Sequence, residues 1–121
     1  MELDITKSKR FVFSISIANV DITAVRGKFI IYLNNEMYIG FSTFIENGKL
    51  AVEIPPLDKF DFDTNKKYKA ELWVIANRDF FTVPWVNEIL IKRPISIKTS
   101  IKEDKIDEPY IFVTRPIVIK G

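Results

Sequence analysis

The sequence predicts a single all-β domain: an antiparallel β-sandwich of Greek-key or immunoglobulin-like type, with a small β-barrel as the alternative. Three observations carry this. Apolar residues recur with period two along most of the chain, the mark of strands with one buried face. No window sustains a helical apolar period of about 3.6 residues. Roughly eight to ten short apolar runs are punctuated by Asn, Gly, Pro and Asp at the spacing of sandwiches and barrels. The 121 residues suit one domain. The composition, 47% hydrophobic and 28% charged, supports a core rather than disorder. The ten phenylalanines favour strands.

Taken in order, residues 1–10 read as an N-terminal arm and residues 11–121 as the sandwich domain. Phe11, Phe13, Ile15 and Ile17 alternate with Val12, Ser14 and Ser16, giving a strand with one apolar face. Val20, Ile22 and Ala24 alternate with Asp21 and Thr23 in the same way. Phe29 to Leu33 is a short continuous apolar strand. Asn34-Asn35 then supplies a tight turn, since Asn tolerates left-handed backbone, and Met37 to Phe44 returns. Asn47-Gly48 between apolar runs is a strong hairpin signal. Its return strand, Leu50 to Ile54, ends at Pro55-Pro56, because proline cannot donate to a ladder. Phe29 to Ile54 is therefore expected to be a three-stranded meander.

Leu57 to Lys67 reads as a polar, acidic loop. In the strand Tyr68 to Ala76, Tyr68, Ala70, Leu72 and Val74 face one way and Glu71, Trp73 and Ile75 the other. Asn77-Arg78-Asp79 turns the chain into Phe80 to Val83 and Val86 to Ile91, with Pro84 between. Ile95, Ile97 and Ile101 alternate with Ser96, Lys98, Ser100 and Lys102. A charged loop, Glu103 to Pro109, precedes a last strand from Tyr110 to Thr114 that continues past Pro116 to Ile119.

The same residues limit the chemistry. With neither cysteine nor histidine, the chain has no disulfide, thiolate nucleophile, histidine base or imidazole ligand. Asp61-Phe62-Asp63-Thr64-Asn65 opens like a calcium loop, but Lys66 stands where such a loop needs glycine and Leu72 where it needs glutamate. No phosphate-binding glycine loop, paired-carboxylate spacing or Ser-x-x-Lys helix start occurs. The expectation is a protein that is not an enzyme and has no catalytic residues, cofactor or metal. Met1 to Arg10 lacks the apolar region of a signal peptide, and no apolar run reaches spanning length, so no membrane role is expected.

Lysines and arginines number 18 against 16 acids, a net charge of +2. This balance argues against a dedicated nucleic-acid protein. Lys7, Lys9 and Arg10 precede the first strand, and Lys92, Arg93, Lys98 and Lys102 decorate the strands near the C-terminus. Such cations could line a groove for single-stranded nucleic acid. They also keep an exposed edge from pairing with other chains, the role that the balanced charge favours.

Arg78 to Val86 reads RDFFTVPWV. Pro84 should place this segment at a sheet edge or at a crossing between sheets. Simple alternation puts Phe81, Val83 and Trp85 on one face and Phe80 and Thr82 on the other. The segment is either a corner of the core or a partner-facing patch, since Trp and Phe serve both roles.

The segments Arg26 to Ile31, Glu46 to Leu57, Lys69 to Ile75, Val83-Pro84-Trp85 and Glu88 to Lys92 resemble small virion-associated proteins of tailed bacteriophages. These are head proteins that decorate a capsid or help to build the prohead, and the resemblance spans roughly residues 26 to 92. It implies an auxiliary or decoration protein that stabilises the capsid from outside, without an active site. Its partner would be the major capsid protein or another virion protein, or a second copy of itself. It would be located on the virion, or otherwise in the host cytoplasm. Phe80, Phe81, Val83 and Trp85, with Lys7, Lys9 and Arg10 of the arm, are then the candidate contacts. The rivals are a prohead core or scaffold component, a nucleic-acid-binding β-barrel and a carbohydrate-binding module.

Overall fold

The computed structural model describes residues 1–93 and 110–112. Its strands are β1 (Glu2–Asp4), β2 (Lys9–Ser14), β3 (Val25–Tyr32), β4 (Tyr38–Ser42), β5 (Phe44–Glu46), β6 (Lys49–Ile54), β7 (Lys66–Ala76), β8 (Phe80–Lys92) and β9 (Tyr110–Phe112). They form a five-stranded sheet in the order β1-β8-β7-β3-β4 and a four-stranded sheet in the order β5-β6-β2-β9. The protein is an all-β sandwich. With β2 as strand B, the order β5-β6-β2 against β4-β3-β7-β8 matches the immunoglobulin-like order D-E-B against C′-C-F-G. The expected antiparallel pairing holds through the middle of both sheets. Two pairs depart from it: β1 runs parallel to β8, and β9 runs parallel to β2.

The first ten residues are built into the sandwich rather than projecting as an arm. Leu3 and Ile5 are buried in the core. The Ile5 N–H donates to the Lys92 carbonyl at 2.8 Å, and the Ile5 carbonyl accepts the Leu57 N–H at 2.9 Å. Two apolar side chains among polar neighbours help to cover the end of the core, and the β8 strand and the Leu57 N–H together take up their backbone groups.

Other expectations change where local hydrogen bonds compete with the ladder. Val20 to Ala24 is not a strand. Asp21 caps a 3₁₀ turn over Ile22–Ala24, its carboxylate accepting the Thr23 N–H at 2.9 Å and the Thr23 hydroxyl at 2.8 Å. The Asn34 turn closes through its side chain, which accepts the N–H groups of Glu36 and Met37 at 2.8 and 2.9 Å. Asn47-Gly48 and Asn77-Arg78 do take positive φ, at 50°, 72°, 49° and 70°. The meander is split. The run from Met37 to Phe44 breaks at Thr43, so that β4 stays with β3 in one sheet and β5 pairs with β6 in the other. The loop after Pro56 is pinned by buried Leu57 and Phe62, whereas sequence alone marks it only as polar.

Phe80 to Lys92 is one strand, with proline inside it. Leu72 faces Trp85 and Val74 faces Thr82, so Trp73 alone lies opposite Val83 and Pro84. This bulge absorbs the proline, whose missing N–H would otherwise leave a gap in the ladder. It also reverses the alternation of β8. Trp85 points inward, its ring centroid 5.4 Å from Phe13 and 5.5 Å from Phe29. Phe11 stacks on Phe29 at 5.4 Å, so Phe11, Phe13, Phe29 and Trp85 form the aromatic centre of the core. Phe80 packs against the same core. Phe81, 54% exposed, points outward.

Tyr68 near the start of β7 receives the Asp63 N–H on its hydroxyl at 2.7 Å, and its ring meets Phe62 edge-on at 4.8 Å. This is the tyrosine corner of immunoglobulin-like sandwiches, which ties the strand to the loop before it. Tyr68→Phe is expected to cost about 1–2 kcal/mol, because it strips a partner from a half-buried N–H. Trp85→Ala is expected to cost about 3 kcal/mol, and Phe81→Ala less than about 1 kcal/mol. Urea denaturation of the three variants checks both statements; equal costs at Trp85 and Phe81 would contradict the inward-outward assignment.

Candidate interaction surface

The outer face of the five-stranded sheet begins with β7. Glu71, Trp73 and Ile75 alternate with the buried Ala70, Leu72, Val74 and Ala76, so large apolar side chains occupy both faces of this strand. Cross-strand pairing then sets their neighbours. Ile75 lies between Phe81 of β8 and Arg26 of β3, and Trp73 lies beside Lys28. Tyr32 and Tyr38 are paired directly across β3 and β4.

These positions assemble a second aromatic cluster outside the core. Tyr32 meets Tyr38 at 5.8 Å, Tyr38 meets Trp73 at 5.2 Å, and Trp73 meets Phe81 at 5.8 Å. The ring planes cross at 62°, 62° and 76°, each pair edge to face. Such pairs contribute about 0.5–1.5 kcal/mol each beyond area burial, so the row holds its own shape. Its Tyr32 end is fixed further. The Tyr32 hydroxyl donates to Oε1 of Glu71, and the Lys69 ammonium stands 5.4 Å over the Tyr32 ring.

At its other end the row runs into a groove of about 490 Å³. Trp73, Ile75 and Phe81 form one side, and Phe44 and Ile45 line it where the chain crosses from β4 to β5. The crossing depends on Gly27. Its carbonyl accepts the Thr43 N–H at 3.0 Å and the Thr43 hydroxyl at 3.1 Å. A Cβ at Gly27 would lie 2.9 Å from the Trp73 carbonyl oxygen and 3.1 Å from Thr43 Oγ1. Only glycine lets the crossing approach β3 so closely. Arg26 and Lys28 are the charged residues of the lining. A second hollow beside it shares Thr23, Arg26 and Ile75 and adds Arg78.

The residues singled out in the sequence are dispersed. Phe81 belongs to this surface. Phe80 and Trp85 face the core, and Val83 lies half-buried in the bulge. Lys7 is exposed in the turn after β1, Lys9 opens β2, and Arg10 pairs with Glu46, its guanidinium 5.4 Å from the Phe44 ring. Lys92 pairs with Glu2 at 3.0 Å and Arg93 is exposed, whereas Lys98 and Lys102 lie outside the described residues. Sequence reading did not single out Tyr38, Trp73, Ile75, Phe44, Arg26 and Lys28. The available signal was β7 itself, where Trp73 and Ile75 alternate with an already apolar face.

Among the described residues, no group of three or more acidic side chains is placed to hold a metal, and no helix is long and apolar enough to cross a membrane. Comparison with protein-family models, curated proteins and solved structures finds no match to this chain.

The Tyr32 phenol is held above the ordinary tyrosine value, first because its hydroxyl donates to Glu71, and then through burial and the Glu71 charge. Folding therefore favours the neutral phenol. The resulting stabilisation is complete below the ordinary tyrosine pKa and is lost as pH rises through the raised value. Tyr32→Phe is expected to remove one late-titrating phenolate from an absorbance titration. It should also flatten the alkaline fall in stability; an unchanged alkaline limb would contradict the Tyr32–Glu71 assignment.

Proposed function

We propose that this chain is a non-enzymatic structural protein of a tailed bacteriophage, attached to the outside of the capsid and stabilising it. The observation that carries the reading is the outward-facing aromatic row from exposed Tyr38 through half-buried Trp73 to exposed Phe81, continued by Ile75, Phe44 and Ile45 around the groove. Large, rigid aromatic side chains on the outer face of a sheet, beside an apolar hollow, have the composition of an interface centre. The capsid as partner rests on the resemblance carried by residues 26–92.

The physical logic suits such a role. A protein that binds only an assembled lattice stabilises that lattice by mass action. Repetition over a symmetric shell lets a modest interface suffice. Rigidity helps, since a preformed aromatic surface loses little side-chain freedom on docking.

The test is quantitative mass spectrometry of purified particles against the major capsid protein, repeated with a Trp73→Glu variant. The expected result is a fixed, high copy number for the wild type and loss of attachment for the variant, with an unchanged circular dichroism spectrum. Absence of the wild-type protein from mature particles would overturn the capsid-exterior reading in favour of a prohead core role.

A further inference from the structure

We infer that the groove between Trp73, Phe81 and the β4–β5 crossing takes an acidic, extended polypeptide segment of the partner, inserting an apolar side chain between flanking carboxylates. The inference rests on the docking reading above and specifies what the surface recognises. Three observations support it.

The first is charge. Arg26 and Lys28 line the groove, and Arg78 joins Arg26 in the adjoining hollow. No aspartate or glutamate is among the described lining residues of either. Arg26 and Lys28 form no ion pair or ring contact among the described residues, unlike Arg10 with Glu46 or Lys92 with Glu2. In a chain of nearly balanced charge, an apolar cleft whose only charged lining residues are cations selects an anionic partner.

The second is ring geometry. Single-stranded nucleic acid or a sugar would need flat, open ring faces on which to stack. Trp73 is instead engaged edge to face by Tyr38 at 62° and by Phe81 at 76°. These interlocked rings leave a notch rather than a platform. A volume of about 490 Å³ holds one or two apolar side chains of a peptide.

The third is backbone. β4 is the outer strand of its sheet and β5 of the other, among the described residues, and the groove lies where one passes into the other. Outer strands carry unpaired N–H and C=O groups that an extended segment can meet while its side chains enter the notch.

The experiment pans a displayed library of random peptides against the folded wild-type protein, then measures the enriched sequences by fluorescence anisotropy. Enrichment of Asp and Glu around Leu, Phe or Trp is expected, with affinity falling as salt rises. The double variant Arg26→Glu/Lys28→Glu should bind these peptides about tenfold more weakly or worse, while its circular dichroism stays unchanged. Enrichment of neutral or basic peptides, or equal binding by the double variant, would overturn the inference. So would oligothymidylate competing for the same face, which would assign the groove to nucleic acid. Particle attachment, measured in parallel, separates the two proposals. If the double variant still attaches where Trp73→Glu does not, the surface docks but its occupant is not acidic. If the wild type attaches to no particle, the capsid reading fails, and the peptide data alone decide the groove.

Discussion

One extra residue in β8 opposite Trp73 decides how both faces of the larger sheet are used. Before the bulge, Phe80 and Thr82 face inward and Phe81 outward; after it, Trp85 faces inward. Without that slip, Phe81 and Trp85 would share a face. Either the core would lose the ring that closes on Phe13 and Phe29, or it would have to enclose both. The bulge also gives Pro84 a position where no ladder donor is needed. A single irregularity thus separates the internal aromatic cluster from the external one, and both the stability of the core and the character of the surface follow from it.

The second constraint is the close approach at Gly27. The chain passes from one sheet to the other at Thr43, and both hydrogen bonds that hold the crossing end on the Gly27 carbonyl. Phe44 and Ile45 are carried past β3 by this contact, and the groove lies in the angle they make with Trp73 and Phe81. A hairpin continuing straight through Thr43 would have kept Phe44 in the first sheet. The surface that supports the functional proposal is therefore a product of how the sheets are joined, as much as of which residues they carry.

Elsewhere the fold is tied by short-range chemistry. Asp21 caps its turn, Asn34 closes its hairpin, and Tyr68 anchors the loop that buries Phe62. A second string of rings, Phe41 to Phe60 to Phe62 to Tyr68, runs from the inner face of β4 to this corner. Without a disulfide between the sheets, aromatic packing and the corner hydrogen bond take that stapling role.

By itself the sequence determined the all-β class, the buried faces of β2 and β7, and the turns at Asn47-Gly48 and after Ala76. Each depends on neighbours within a few residues, through side-chain alternation or the backbone freedom of Asn and Gly. Alternation counts residues and cannot register a bulge, so it placed Trp85 with Phe81. Nor can it tell a strand that continues from one that changes sheets, so it read Met37 to Phe44 as unbroken. The burial of Leu3 and Ile5 and the convergence of Tyr38, Trp73, Phe81, Arg26 and Lys28 were decided by tertiary structure alone. The buried pair needs the packed core, and the surface cluster needs β3, β4, β7 and β8 paired in register, so neither exists until separate strands have come together.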